Sequence, residues 1–242
     1  MQIPKLFATR KPLTKNAVHR SRFPGRVESL ETRDMMSATP LHVTSVHLGS
    51  SSWSSAFTSQ LETAGLGDSE LGFLIPTGSS AQLAPVPWTG IDQISIGFSE
   101  DASVQQNDLA LSSVTAKNIA FDQFFYDPQK FVATWTLSQA LTSNAYRLDL
   151  DGDGAGKVIG QFTASVLDGE WTDGVSTFGS GSGDGTAGGD FEFTIRVLTG
   201  DTDCNASVDS YGDYYVTMMH SGETTASSAY SNYRDLDGNG VI

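Results

Sequence analysis

A single cysteine, Cys204, excludes any disulfide within this chain of 242 residues. No stretch approaches an 18-residue apolar run, so no segment reads as a membrane-spanning helix. Positive charge is also scarce: 14 Lys and Arg stand against 28 Asp and Glu. Eight of the 14 fall within residues 1–33 (Lys5, Arg10, Lys11, Lys15, Arg20, Arg22, Arg26 and Arg33), beside only Glu28 and Glu31, for a local net charge of +6. The remainder carries 26 acidic and 6 basic residues, a net −20. A body this acidic repels phosphate backbones, which argues against nucleic acid as a partner and turns attention to cations.

Catalytic motifs are missing as well. The four histidines (His19, His42, His47 and His220) form no HExxH spacing, and there is no GxSxG, Walker loop or GxGxxG after a strand. Glu100–Asp101 and Asp168/Glu170/Asp173 are the obvious carboxylate clusters. Glycoside hydrolysis needs two carboxylates ~5–9.5 Å apart across a cleft, usually beside aromatic sugar platforms. Trp88, Trp135 and Trp171 each sit where a β-sandwich needs core or strand-end packing. No catalytic residue is assigned, and the chain is expected not to be an enzyme.

Hydrophobic residues make up 38% and charged residues 17%, with 25 glycines, a balance that suits many short strands and turns better than a helical bundle. In LHVTSVHL, Leu41 and Val43 alternate, then Val46 and Leu48 alternate in a changed phase. IDQISIGF puts Ile94, Ile96 and Phe98 on one face, and KFVATWTL puts Phe131, Ala133, Trp135 and Leu137 inward. AYRLDL and FEFTIRVL follow the same period, with turns at TGSS, YDPQ and DGDGAG between strands. One helix interrupts the series: Trp53, Phe57, Leu61 and Ala64 recur at helical spacing, with Gly65 placed to end it. The glycine-rich stretch 179–190 reads as a mobile loop.

Residues 1–40 form a basic leader with Pro4, Pro12, Pro24 and Pro40 and no apolar periodicity, so they read as a disordered address. Within VESLETRDMMSA, Leu30-Glu31-Thr32-Arg33 and Met35-Met36-Ser37-Ala38 resemble the LEPR-XLL motif of large bacterial surface proteins. That likeness implies export. PWTGIDQISIGFSEDASVQQNDLAL, FFYDPQKFVATWTLSQAL and LDGEWTDG with GTAGGDFEFTIRVL resemble the Ig-like domain of bacterial exported proteins. It implies an antiparallel β-sandwich over residues 41–198, acting as a spacer or adhesive surface.

Calcium takes 6–8 oxygens, and a 12-residue loop supplies them from positions 1, 3, 5, 7, 9 and 12. From Asp201, Asp203 and Asn205 fall at positions 3 and 5, the Ser207 carbonyl at 7 and Asp209 at 9, with Val208 placed to pair with a second loop. Position 12 is Gly212, and Asp213 comes one residue late. From Asp235, Asp237 and Asn239 fall at 3 and 5, Gly240 at the turn and the Val241 carbonyl at 7, and the sequence stops at Ile242. The two loops resemble a degenerate type I dockerin over residues 199–242, with Asp213–Gly222 as a helix carrying Tyr214, Tyr215 and Met218 inward. The second repeat reads as cut short, as in a fragment of a longer frame or a decayed module. Without a position-12 acid, calcium is expected to bind only at ~10⁻⁴–10⁻³ M. RLDLDGDGAG also spaces Asp149, Asp151 and Asp153 as a calcium loop does, but Gly160 stands at position 12, so a strand ending in a turn is expected.

These readings together imply a secreted or cell-surface bacterial protein, adhesive or architectural, whose calcium-ordered tail docks on a cohesin-like partner. The alternatives are an accessory part of a polysaccharide-degrading glycoside hydrolase system, or a carbohydrate-binding sandwich.

Overall fold

The change of phase inside LHVTSVHL is a β-bulge. In the computed structural model, which describes residues 39–154, 156–178 and 182–242, β1 (Val43–Gly49) pairs with β4 (Gln93–Phe98) and its register slips between Val43 and Ser45. One extra residue rotates the remainder of the strand, so Val43 and Val46 are both fully buried although they differ in parity.

The helix α1 (Ser55–Thr63) begins where the Ser54 hydroxyl accepts the Phe57 amide at 3.2 Å. It ends in a Schellman turn: Leu66 donates to the Leu61 carbonyl and Gly65, at φ 69°, to that of Glu62. Phe57 and Leu61 are its buried residues. Trp53 precedes the cap and meets the Phe57 ring edge-on at 4.9 Å.

The remaining strands are β2 (Gly67–Asp68), β3 (Gly72–Leu74), β5 (Ala102–Ser103), β6 (Leu109–Ser113), β7 (Phe121–Asp127), β8 (Val132–Leu137), β9 (Asn144–Leu150), β10 (Ile159–Gly160) and β11 (Phe191–Val197). Among the described residues they form antiparallel sheets ordered β2-β3-β1-β4-β8-β7, β11-β9-β6 and β10-β5. The protein is mainly β, with α1 and a second short helix, α2 (Val216–Met219). Side chains of the six- and three-stranded sheets join one hydrophobic core.

In β11, Phe191, Phe193, Ile195 and Val197 are buried while Glu192 and Arg196 are exposed, the alternation of a sheet with one wet face. β4 lies between β1 and β8 and is buried from Ile94 to Phe98, so the alternation expected there disappears. Phe131 departs from expectation: it lies before β8, in the turn after β7, at φ 57° and half-buried. Trp88 and Trp135 are fully buried, and Trp171 packs among Phe178, Phe191 and Phe193.

Residues 39–242 hold together as one compact unit. The seam expected at residues 198/199 is crossed by directed contacts. Trp88 Nε1 donates to the Asn232 carbonyl at 2.8 Å, Thr89 N to that of Leu236 at 2.8 Å and Ser54 N to that of Gly238 at 2.8 Å. Tyr233 stacks on Trp88 at 5.4 Å. Of the expected leader, residues 1–40, the first 38 with the export-like motif lie outside the described residues, as do 179–181. From Ser182 onward the expected mobile loop is tied down instead. The buried Ser182 hydroxyl accepts the Val43 amide and donates to the Asp168 carbonyl, both at 2.8 Å, and the Asp168 carboxylate accepts the Asp184 and Gly185 amides.

Candidate metal centre

Two Asp-x-Asp-x-Asn segments, 34 residues apart, fold alike. In the first, the Asn205 amide donates to Asp201 and Asp203, both at 3.1 Å, and in the second the Asn239 amide donates to Asp235 at 3.2 Å and Asp237 at 3.3 Å. Asn205 Nδ2 reaches Asp203 at 2.8 Å and Asn239 Nδ2 reaches Asp237 at 2.9 Å. The Ala206 and Gly240 amides donate to Asp201 and Asp235 at 2.9 and 2.8 Å. The Ser207 and Val241 amides donate to the preceding Asn side chains at 2.8 Å in both loops. Cys204 and Ala206 take positive φ of 56° and 69°, and Gly238 and Gly240 take 65° and 95°. Short polar side chains that accept amides two to five residues ahead curl the backbone tightly around their carboxylates.

The first loop is closed by an acid that simple position counting places out of reach. Ser210–Tyr215 forms a π-helical turn, capped by the Asp209 carboxylate, which accepts the Tyr211 and Gly212 amides at 2.8 and 2.7 Å. A π turn absorbs one inserted residue. Asp213, thirteenth in the loop, thereby takes the place expected of the twelfth. Carboxylate oxygens of Asp201, Asp203 and Asp213 lie within 4.8 Å of one another. Oxygens sharing one calcium at 2.3–2.6 Å can be at most roughly 5 Å apart. Asp213, which the sequence places one residue late, thus stands with the loop's first two acids. Asp209 serves the helical turn with its carboxylate and is not in the cluster.

Burial sharpens the case. Asp201 and Asp235 are fully buried and Asp213 nearly so, whereas the ion pairs among the described residues, Lys130–Glu70 and Arg147–Glu192, lie on the surface elsewhere. A buried carboxylate without a cation partner is costly, and amide donors offset only part of that cost. Burial pushes Asp201 above the usual carboxylate range, against the pull of the Ala206 and Asn205 amides, with Asp203 and Asp213 adding repulsion. Burial also raises Asp235, although the Tyr230 hydroxyl donates to it at 2.5 Å. At Asp213 the Asp209 and Thr202 amides and the Thr202 hydroxyl outweigh burial and hold the carboxyl below its usual range. Burial, then Asp201, Asp203 and Asp213, push the Cys204 thiol up to about 11. An all-oxygen set with excess buried negative charge fits a hard divalent cation such as calcium.

Residues 235–242 of the second loop offer Asp235, Asp237, Asn239 and the Val241 carbonyl. Its last residues bond elsewhere: Ile242 N donates to the Glu223 carbonyl and Val241 bridges Thr224. Val208 and Ile242, eighth in their loops, border one groove with Met218 and Leu236. The segment expected as a helix from Asp213 starts earlier, in the π turn, and continues as α2. Its expected inward side chains face out: Tyr214 is 68% exposed, Met218 50% and Tyr215 44%. Tyr211, Met219 and Val208 are exposed beside them.

Asp151 accepts the Asp153 and Gly154 amides in a turn that comes after β9, as expected, and it clusters with Asp153 and Asp190 rather than with Asp149. Asp168, Glu170 and Asp184 form a further acidic group. Asp173 accepts from Gln82 and from the Thr194 amide, and Glu100 from the Phe162 and Thr163 amides. Sequence reasoning missed Thr202 and Tyr230 as donors to the loops' carboxylates; the one available signal was the acid standing a residue late at Asp213. A scan against protein-family models gave no match, and a search of curated proteins gave none.

Proposed function

We propose that this chain is a non-catalytic, secreted or cell-surface protein with an adhesive or architectural role. On this reading an Ig-like β-sandwich carries a dockerin-like, calcium-binding tail, and the tail docks on a cohesin-like partner. The observation that carries the reading is the repetition: two loops with the same five hydrogen bonds, each burying its first aspartate without a basic partner among the described residues. Calcium held by Asp201, Asp203 and Asp213 would offset that buried charge. It would also fix the π turn, since Asp213 belongs to both.

The docking face is the outer side of that turn and α2. Tyr211 and Tyr215 stack at 5.6 Å, and Tyr214, Met218 and Met219 stand exposed near them in sequence. Aromatic residues and Met are enriched at protein interfaces, where large side chains with few rotors bury area at low entropic cost. The acidic body and the export-like leader favour the cell exterior, where calcium is abundant.

The test is binding of the full chain to a panel of cohesin domains, in millimolar calcium and again in chelator. Binding in calcium alone, lost in Tyr214→Ala and Met218→Ala, is the expected result. If calcium raises the thermal melt but no cohesin binds, docking is wrong and calcium binding stands; if calcium has no effect at all, both fail.

A further inference from the structure

We propose that the free edge of β7 accepts one extended, Lys- or Arg-bearing strand of another protein, which adds to the six-stranded sheet. Sheet edges present unpaired backbone N–H and C=O groups, and proteins normally cover or shorten them. Four strands end the two larger sheets: β2, β7, β6 and β11. β2 is two residues long. β11 is covered, because Val86 donates to the Arg196 carbonyl and accepts the Leu198 amide, and Asp173 accepts the Thr194 amide. β6 is covered by the segment after it: Leu111 accepts the Ile119 amide at 2.9 Å and Ser113 donates to the Ala116 carbonyl at 2.7 Å. β7 is seven residues long and pairs with β8 alone. Apart from that pairing, its one engaged backbone group among the described residues is the Phe121 carbonyl, which accepts Gln106 Nε2 at 3.1 Å. In an antiparallel ladder, alternate residues turn their N–H and C=O away from the partner strand. The backbone from Asp122 to Asp127 therefore leaves a row of donors and acceptors open.

Side chains along the edge set the partner's chemistry. The register slip between Phe121 and Gln123 touches only the start of the strand, and Gln123–Asp127 runs in regular register with β8. Phe124 packs on Trp135 at 5.1 Å and the Tyr126 hydroxyl donates to Asp101 at 2.8 Å. Strand alternation puts Phe125 on the opposite face, where it is 66% exposed and open to an apolar cross-strand neighbour. Asp122 is exposed and has no hydrogen bond or ion pair among the described residues, and Asp127 stands at the other end of the strand. Of the nearby cations, Lys130 is paired with Glu70 and Lys117 lies outside the strand. Two copies joined antiparallel about Phe124 and Phe125 would set Asp122 against Asp127, and each chain carries a net −14. Like charges directly opposite destabilise a strand pair, so charge selects a basic foreign strand over a second copy. This assignment does not rest on calcium binding by the tail.

The test titrates the full chain with a seven-residue peptide of alternating valine and threonine, with a lysine at each end, and follows backbone amides by NMR. Saturable one-to-one binding is expected, with slowed hydrogen exchange at alternate amides of residues 122–127. A version with glutamate ends should bind at least about tenfold more weakly, and one N-methylated at every internal amide should not bind. Phe125→Lys, at an exposed position, should weaken the lysine peptide by about tenfold or more. If that variant melts early, Asp122→Lys, also exposed, replaces it with the same expected direction. No saturable binding, retained binding of the methylated peptide, equal binding of the glutamate version or protection confined to other strands would each overturn the proposal. Dimerisation of the chain alone through the same amides would overturn it too, in favour of a second copy.

Discussion

The two acidic loops share a backbone and differ in how they are completed. Both bury the first aspartate and repeat the same amide-to-carboxylate pattern, yet one uses Cys204 and Ala206 where the other uses Gly238 and Gly240. The first brings in Asp213 through a π turn; residues 235–242 of the second are pinned by the Tyr230 hydroxyl, by Trp53 and by pairing with residues 223 and 224. Local Asx-type bonding is enough to set the loop's shape. On the proposed reading, how well the first loop holds a cation rests on Asp213, a residue outside that pattern.

The largest expected contrast comes from the residue between the third and fifth positions of each loop. A Cβ on Gly238 would lie 2.3 Å from the Trp53 ring, at a φ of 65°. Gly238→Ala should therefore cost about 3 kcal/mol, roughly 6–12 °C of melting temperature, through overpacking and left-handed strain. Cys204→Ala, its counterpart, should change stability by no more than about 0.5 kcal/mol, because the residue already carries a Cβ there. Equal losses in the two loops would break the comparison.

Next is Asp213→Ala, which orphans the Thr202 and Asp209 amides. In chelator it should cost about 1–3 kcal/mol, and added calcium should no longer raise the melt. Asp237→Ala should leave most of the calcium response intact.

Acid separates the loops from the body. Asp201 and Asp235 are raised in the folded chain, so the cation-free protein gains stability from them as pH falls through their folded values, and loses it again as pH rises. Protons and calcium compete, so the calcium-induced rise in melting temperature should shrink between neutral and mildly acid pH. His47 runs the other way. Burial holds it at about 4, with Asp68 opposing, so its contribution is present above its unfolded value near 6.5 and is lost as pH falls from there to about 4. Calcium shifts measured in a His47→Asn background should keep their pH dependence while the overall acid instability lessens. A small gain is expected from Ala206→Gly, which copies the second loop's Gly240. It should gain about 0.5–1 kcal/mol by relieving a positive φ of 69°.

Much of this was legible in the chain. The bulge in β1 showed as a phase change, α1 as apolar spacing ended by Gly65, and the loop cores as Asp-x-Asp-x-Asn. Three things were not. Phe131 has the right parity for an inward strand residue, and only the turn geometry takes it out of β8. That the one-residue excess before Asp213 is taken up by a π turn shows only in the backbone. The tail's docking on Trp53 and Trp88 joins residues some 144 to 185 positions apart, a pairing that no local period encodes. The same docking spends the tail's apolar contacts on Tyr233 rather than on Tyr214, Tyr215 and Met218, which is why those face solvent.

The most direct test is calorimetric titration of calcium into the full chain and into Asp213→Asn. If the first loop holds the cation through its late acid, the variant should bind at least about tenfold more weakly while keeping its fold. Equal binding by the two proteins would contradict that account and move the cation to another acidic group, with Asp151/Asp153/Asp190 and Asp168/Glu170/Asp184 next in line.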